Sequence, residues 1–459
     1  MKIKNRGSLL SAGDVKVRRP ILEIIESTLQ HMDIYHTIKG SLIKDKNILR
    51  LGTYQWDLSK CRNVYVVGAG KAANAMAKAV EEILEDSIQD GIVIVKQLEP
   101  GDKLSKIELV EGGHPLPNKE GFLATKRILR MVEQGTPDDI FIGLISGGSS
   151  ALMSCPIPGI TLEDEIALTG ELLRCGARII EINAVRRHIS VVNGGQLAQA
   201  IQEKGAEMIN LIISDSVGSA PTTNPLNRVK FFGTPVAPDA TTVQDARDVL
   251  KKFDLYSRIP GAITEFFINA GSIKETPKEL GEHIHHFVLQ RPADVCEAAK
   301  RAAREMDLDE IILTTVLEGE SREAGTFLAS IAKEIALNRR PIPPPCVLIA
   351  GGETTTQMDD KSGLGGPSQE LALGFALEIA DHKGICIAAI DTDGTDGPTE
   401  IAGGIVDGTT VYRARQKGID AYDRLRAHDS SGFFTAIGDE IITGNTGTNV
   451  CDLNVIYIS

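Results

Sequence analysis

Two glycine-rich loops follow buried apolar runs, where they could bind an anion. The first, GAGK at 68–71, lies between the run VYVV and a helical pattern. Its glycines allow a tight turn, and the helix N-terminus offers N–H groups and a positive dipole end. The second, SGGSS at 146–150, follows IFIGLI and suits a nest of N–H and hydroxyl groups. We therefore predict a phosphate or carboxylate site that includes Gly68, Gly70, Lys71, Ser146, Gly147, Gly148 and Ser149.

The first loop also fits the dinucleotide spacing G-x-G-x-x-A. That interpretation requires an acidic residue at the end of the second strand to hold the ribose. The next run, GIVIVKQ, ends at Lys96 and Gln97 instead. An NAD(P)H-dependent reductase is thus a weaker hypothesis. The chain contains no Walker A sequence, and SGGSS is not a nucleophile elbow.

Further polar residues are candidates for binding a substrate or a phosphate. Arg186 and His188 lie in the helical pattern EINAVRRHIS. Successive residues of a helix point in different directions, so one or two of them would enter a site. The alternative is a solvated basic patch with a structural histidine. Glu353 in GGETTT and Asn449 in TGNTGTN belong to polar runs beside strands, and they predict a large polar cleft.

The segment IDTDGTDG places Asp391 and Asp393 at the end of a buried run. Carboxylate oxygens at this spacing suit Mg²⁺, which often reaches a site through one or two carboxylates and substrate phosphates. A calcium loop is excluded, because the twelfth position counted from Asp391 is Ala402. The alternative is a turn in which the aspartates accept backbone N–H groups.

Two histidine segments are weaker candidates. His114, in GGHPLPN, is either a general acid or base or a loop-packing side chain. HIHH at 283–286 has the alternation of a strand but no further ligand cluster nearby, so a metal site there has little support.

The elements that carry these residues indicate an α/β fold. Short continuous apolar runs such as MINLII and ICIAAI are typical of strands covered on both faces, as in parallel sheets, and helical patterns between them supply the covers. We predict two α/β domains with mainly parallel sheets, the first Rossmann-like at 1–240 and the second at 241–459. Ligands of such sheets bind beyond the carboxyl ends of the strands, so we expect the active site in the cleft between the domains.

Composition limits the function classes. The chain has 459 residues and a formal net charge of −13, which argues against nucleic-acid or anionic-membrane binding. It has no membrane-length apolar run and no secretory h-region. Its seven scattered cysteines, none in CxxC, predict reduced thiols of a cytoplasmic protein. A homodimer is left open.

Taken in order, the segments resemble the glycerate 2-kinase family with its MOFRL C-terminal part. The resemblance runs from about Val64 to the C-terminus. It rests on the words VVGAGKAANAMA, GGHPLPN, LISGGSSAL, EINAVRRHIS, LEGESREA, GGETT, DTDGTDG and TNVCDLN. It implies transfer of a phosphoryl group from ATP, with Mg²⁺, to the 2-hydroxyl of a small hydroxy acid such as D-glycerate. It also implies that Lys71 is a catalytic residue.

Several motif positions depart from the family pattern. Ser149 replaces a glycine, Asn193 a lysine and Ser219 an acid, while FGTPVAPD at 232–239 replaces SGPT. Pro367 stands where the family has its other proposed catalytic residue, an arginine, and Cys451 precedes Asp452 where the family has asparagine. One arginine can be worth about 10³–10⁵ in the rate of phosphoryl transfer. A non-catalytic or repurposed member that binds a metabolite is therefore a further alternative.

Overall fold

The structure is a computed structural model that describes residues 1–217, 235–269, 273–358 and 362–459. Its strands are β1 (Leu42–Asp45), β2 (Ile48–Leu51), β3 (Tyr54–Asp57), β4 (Asn63–Gly70), β5 (Ile88–Val95), β6 (Ile107–Glu111), β7 (Asp139–Ile145), β8 (Glu207–Ile213), β9 (Ile284–Gln290), β10 (Asp309–Leu317), β11 (Cys346–Gly352), β12 (Ile385–Asp391), β13 (Gly403–Asp407), β14 (Glu440–Ile441) and β15 (Asp452–Ile458).

The α-helices are α1 (Arg6–Ser11), α2 (Val15–His31), α3 (Ile34–Ser41), α4 (Ala73–Leu84), α5 (Lys119–Glu133), α6 (Ser149–Leu152), α7 (Leu162–Arg174), α8 (Ile179–His188), α9 (Gln196–Glu203), α10 (Val243–Lys252), α11 (Gly261–Asn269), α12 (Pro292–Arg304), α13 (Ser321–Asn338), α14 (Pro367–Glu378), α15 (Thr410–Gln416), α16 (Ala421–Arg426) and α17 (Ser430–Ile437). In the described parts of the chain, no helix combines the length and apolar character that a bilayer crossing requires.

The chain forms two compact units, and each is an α/β domain. The terminal unit comprises Met1–Asp33, residues 215–217 and Gln290–Ser459, and so contains both ends of the chain. The central unit comprises Ile34–Ser214 and the described part of 235–289. The predicted change of domain near residue 240 lies within the central unit. Contacts change instead at residues 33–34 and 289–290, because the N-terminal helices pack with the last part of the chain.

The main sheet of the central unit has the order β6-β5-β4-β7-β8-β9. Strands β4 to β8 pair in parallel, as the continuous apolar runs predict. Counted within this sheet, the order is 3-2-1-4-5-6, the order of a Rossmann sheet. The chain leaves β4 towards β5 on one side, and β7 lies on the other. The crevice beyond β4 and β7 is therefore the topological switch point, where ligands of such sheets bind.

Helices cover the central unit's sheet and build a second core of their own. Ile128 of α5 and Leu197 of α9 belong to the same apolar cluster as Val67 and Phe141. Helices α7, α8, α10 and α11 share another apolar cluster. Their starts are locally encoded, since Thr161 and Thr242 each form a capping box with an aspartate three residues later. A small antiparallel sheet, β1-β2-β3, completes the unit.

The sheet of the terminal unit has the order β10-β11-β15-β12-β13-β14. It departs from the predicted mainly parallel arrangement, because only β10 and β11 pair in parallel among its described strands. Continuous apolar runs report that both faces of a strand are covered, and they carry no information on its direction. Both faces are indeed covered: α13 and α14 pack on one, and α2 and α12 contribute to the other.

Candidate functional site

The two predicted anion-binding loops meet at the switch point of the central unit. The backbone N–H of Lys71 donates to the Gly147 carbonyl at 2.9 Å. The N–H of Ala72 donates to the Ser146 hydroxyl at 3.1 Å, and the N–H of Ser146 donates to Ala69 O at 3.2 Å. The structure thus places Lys71 and the 146–149 loop side by side, at the position where ligands of such sheets bind.

The glycines at 68 and 70 are explained by the packing of these strands. A Cβ on Gly68 would lie 2.2 Å from Leu144 O on β7. A Cβ on Gly70, which has a φ of +152°, would lie 2.0 Å from the Ser146 hydroxyl oxygen. Both glycines therefore allow β4 and its loop to approach β7 and its loop closely, whether or not a ligand is bound.

Gly148 allows the side chains of His114 and Lys71, a possible proton acceptor and a cation, to lie close together. Its φ of +84° is in the left-handed region that favours glycine. A Cβ there would lie 3.0 Å from His114 Cδ2, 3.2 Å from His114 Nε2 and 3.4 Å from Lys71 Cγ. The α-carbon of Gly148 therefore borders both the imidazole and the lysine stem.

Arg186 lies behind the 146–150 loop. It is only 4 % exposed, its Nη2 donates to Ser150 O at 2.8 Å, and the same atom lies 3.5 Å from the Glu165 carboxylate. Glu165 also accepts the Ser154 hydroxyl. The arginine charge is thus paired inside the protein and directed at the loop backbone. This geometry is better suited to supporting the loop than to contacting a ligand directly.

Asn193 occupies the position where the resemblance leads us to expect a lysine. Its Nδ2 donates to Ser150 O at 3.2 Å and to Met153 O at 3.4 Å, so it also supports the loop. Three buried atoms in this group have no hydrogen-bond partner within the described residues: Asn193 Oδ1, Ser150 Oγ and Arg186 Nε.

The structure does not bring His188 into this group of contacts. Its Nδ1 donates to the Ala184 carbonyl at 2.7 Å, and its Nε2 lies 3.3 Å from the Glu275 carboxylate. Both ring nitrogens are thus used within the protein, as the structural alternative predicts. In HIHH, His283 and His285 both contact Glu207, and His286 contacts Val236 O at 2.9 Å. Among the residues that the structure describes, no three His, Cys, Asp or Glu side chains form a group able to enclose a metal ion.

In the terminal unit, three neighbouring strands bring carboxylates together. Asp391 ends β12 and pairs in register with Asp452 at the start of β15. On the other side of β15, Gly352 pairs with Asp452, so Glu353 directly follows the same edge. Asp452 was quoted in the sequence only as part of an altered motif. Its place in this cluster follows from the antiparallel insertion of β15 between β11 and β12, which no sequence pattern signals.

The carboxylate cluster has the chemistry of a cation site. Burial raises the pKa of Asp452 well above its ordinary value, and the negative charges of Asp391 and Asp396 raise it further. Glu353 adds another negative charge. Hard carboxylate oxygens are the ligands that Mg²⁺ takes, and Mg²⁺ fills its remaining positions with water and phosphate oxygens. The residues present therefore fit this ion, although they do not by themselves enclose it.

Asp393 and Asn449 lie in loops that pack on each other. Asp393 Oδ1 accepts the backbone N–H and the hydroxyl of Thr395, both at 2.7 Å, and Asp391 Oδ1 accepts the N–H of Asp393 at 3.0 Å. The turn alternative is therefore also realised. The Thr446 N–H donates to Asp393 O at 3.4 Å. Asn449 is buried, and its Nδ2 has no hydrogen-bond acceptor among the described residues.

Pro367 begins α14, where the missing N–H of a proline has no cost. Buried Asp396 accepts the N–H groups of Ser368 at 3.1 Å and Gln369 at 2.8 Å. Burial raises the pKa of Asp396 to about 6 despite these bonds. One turn further on, Glu370 faces Arg322 and His428, the basic groups that the structure places beside this helix start. Ser219 and residues 232–234 lie outside the described residues.

The comparisons with known proteins point in one direction. A family model described as a domain of unknown function, DUF4147, matches residues 20–268, and the model of the MOFRL family matches 346–452. A glycerate 2-kinase of Pyrococcus horikoshii is 39% identical over 96% of this chain and 98% of its own length. A D-glycerate 2-kinase of Thermotoga maritima is 39% identical over 85% of this chain and 89% of its own.

A solved structure is also similar to this chain over nearly its whole length. The crystal structure of a glycerate kinase from Thermotoga maritima matches with a TM-score of 0.78 and 34% identity, over 96% of this chain and 99% of that one.

Proposed function

The chain belongs to the glycerate 2-kinase family, and we propose that it transfers the γ-phosphoryl group of ATP to the 2-hydroxyl of D-glycerate. The family relatives support the reaction class, since two of them are kinases of glycerate at 39% identity. The observation that carries the proposal for this chain is the position of Lys71. It follows β4 at the topological switch point and is bonded through its backbone to the loop that follows β7.

Lys71 supplies positive charge to a phosphoryl group in this proposal. The transition state of phosphoryl transfer spreads negative charge over the equatorial oxygens, so catalysis depends on positioning and on neutralising charge. The chain as a whole is acidic, at −13, so a local cation is required. The 146–149 loop, with its hydroxyls and glycines, would orient the anion beside the lysine. Arg186 and Asn193 hold that loop from behind.

For the terminal unit we propose metal binding through Asp391 and Asp393, with Asp452 as the buried neighbour of Asp391. Mg²⁺, when bound there, would neutralise part of the negative charge of the phosphates. Burial, and after it the negative charges of Asp391, Asp396 and Glu353, raise the pKa of Asp452, and a bound cation would offset this accumulation of negative charge. Glu353 and the unpartnered amide of Asn449 are proposed to contact substrate.

The test is ADP release by the purified protein with ATP, Mg²⁺ and a panel of small 2-hydroxy acids that includes D-glycerate. We expect turnover with D-glycerate and a 2-phosphorylated product, identified by phosphorus NMR. Replacing Lys71 by alanine should lower kcat by about 10²–10³-fold, as the loss of a charge-stabilising group does. The matched control is Lys251→Ala, an exposed lysine of α10 in the same unit.

Two results would contradict the proposal. If no acid stimulates ADP release by the wild-type protein, the departures at Asn193 and Pro367 have removed catalysis. If the Lys71→Ala variant turns over like the Lys251→Ala control, the switch-point lysine has no part in the reaction.

A further inference from the structure

The loop after β6 carries a histidine across the end of the central unit's sheet. Strand β6 lies at the sheet edge, separated from β7 by β5 and β4. The loop turns sharply: the N–H of Gly112 donates to Val95 O at 2.8 Å, and a Cβ on Gly113 would lie 2.3 Å from Leu116 O. His114 reaches Gly148, which follows β7, and so the loop spans the ends of the two strands between.

The imidazole of His114 thereby lies beside the group that we propose to bind phosphate. Its Nε2 and the Cγ of Lys71 lie 3.2 Å and 3.4 Å from the same point, the position that a Cβ of Gly148 would take. Any side chain at 148 would therefore separate the imidazole from the lysine stem. The glycine keeps the two side chains adjacent at the switch point.

Transfer of a phosphoryl group to a hydroxyl requires that the hydroxyl lose its proton. Histidine is the side chain that most often performs this step, because its imidazole titrates near neutrality. The loops at 68–71 and 146–150 contain no carboxylate that could take this role. Lysine, as a cation, cannot accept a proton.

We propose that His114 Nε2 is the general base of the reaction, a role that rests on the proposed kinase function. The O–H bond of the acceptor's 2-hydroxyl breaks and its proton passes to His114. The hydroxyl oxygen forms a bond to the γ-phosphorus, and the bond from that phosphorus to the bridging oxygen breaks. ADP leaves with the electron pair of that bond, and the histidine then returns its proton to solvent.

The described residues beside His114 include one charged side chain. Lys71 faces it from the loop after β4, and the residues at 146–149 after β7 are uncharged. On its own segment, Glu111 accepts the N–H of Leu98 at 3.2 Å.

The experiment compares His114→Ala with His36→Ala, an exposed histidine of α3 in the same unit. We expect His114→Ala to lower kcat by about 10²–10⁴-fold, with a smaller effect on KM, whereas the control stays at the wild-type rate. The wild-type rate should fall on acidification through the titration of an imidazole, and that limb of the pH profile should be absent from the variant. Added imidazole should restore part of the variant's activity, which a structural defect would not allow.

The outcomes separate this proposal from the one on which it rests. Wild-type turnover together with a His114→Ala variant of normal kcat, or one that imidazole and related bases fail to rescue, would overturn the role of His114 alone. A wild-type protein that phosphorylates no hydroxy acid would overturn the kinase function and this role with it. If the alanine protein fails to fold, His114→Asn provides a second variant. Its carboxamide is polar like the imidazole but cannot act as a base.

Discussion

The buried carboxyl group of Glu370 contributes to the pH dependence of the terminal unit's stability. Glu370 is 1 % exposed, and neither of its oxygens has a hydrogen-bond partner within the described residues. Burial, together with the negative charges of Glu320 and Asp396 and against the opposing charge of Arg322, raises the pKa of Glu370 to about 8. His428 Nδ1 lies 3.5 Å away.

The sign of this dependence follows from the raised pKa. The folded protein keeps the proton of Glu370 up to about pH 8, whereas an ordinary glutamate releases it near 4.5. The stabilising contribution is therefore fully present below pH 4.5 and is lost as the pH rises towards 8. We expect the free energy of unfolding to fall over this range by up to about 1.4 kcal/mol per pH unit.

Urea unfolding at a series of pH values measures this slope. Glu370→Gln should reduce the slope, because the amide does not titrate, while the raised pKa values of Asp396 and Asp452 leave a remaining dependence. Glu378→Gln, on the same helix but partly exposed and paired with Lys333, should leave it in place. A slope of the same size in Glu370→Gln as in the wild type would show that Glu370 does not contribute to it.

Residues with a chemical signature are easier to recognise in a sequence than residues whose role is packing. Lys71 and the 146–149 loop stand out in the sequence because a cation and glycines follow apolar runs, and the structure brings them together. Glu165 and Glu370 gave no signal, because nothing in a sequence distinguishes a buried glutamate from a solvated one. Cys451 has a φ of +63°, a conformation that asparagine adopts readily, and this accounts for the asparagine that the family pattern has there.

At the scale of elements, the ion pair of Arg186 and Glu165 fixes the loop after β7 against α7 and α8. Removing one member leaves the other charge buried and unpaired, which costs about 3–5 kcal/mol. We therefore expect Glu165→Gln alone, or Arg186→Met alone, to lower the free energy of unfolding by roughly that amount. The double variant should be less destabilised than the sum of the two losses. A double-mutant cycle by urea unfolding measures the coupling, and strictly additive losses would show that the two side chains do not interact.

Strands were predictable from the sequence, but their neighbours in the sheet were not. The runs at β4, β7, β8 and β12 were each recognised as buried strands, and the structure confirms them. The position of β15 between β11 and β12 was not predictable, because strand order depends on long-range pairing. For that reason Asp391 was a candidate in the sequence, whereas its neighbour Asp452 was not.

At the scale of the whole chain, the first helices and the last part of the sequence fold together in the terminal unit. Arg18 of α2 is fully buried and pairs with Asp407 and Asp439 of the terminal unit, which are themselves buried. The apolar face of α2, which includes Ile21 and Ile25, packs on α12, β12 and β15. A boundary drawn near residue 240 from the break in periodicity could not reveal this, since chain continuity says nothing about which distant segments share a core.

This organisation predicts which fragments fold. Residues 34–289 should fold alone, because they contain the whole central unit. Residues 290–459 should not, because without Arg18 the carboxylates of Asp407 and Asp439 are buried beside Arg413 alone. Fusing residues 1–33 to the fragment 290–459 through a flexible linker should restore folding. Far-ultraviolet circular dichroism and cooperative thermal unfolding check each case, and a stable fragment 290–459 without the N-terminal segment would contradict the prediction.

The division of the terminal unit between both ends of the chain also sets the order of events during translation. Helix α2 leaves the ribosome early. It packs against β15, which follows all the other described strands in the sequence. The apolar face of α2 therefore stays exposed while the central unit is synthesised, and the central unit can fold during this time. A chaperone that binds nascent chains would therefore be expected to act on the apolar face of α2.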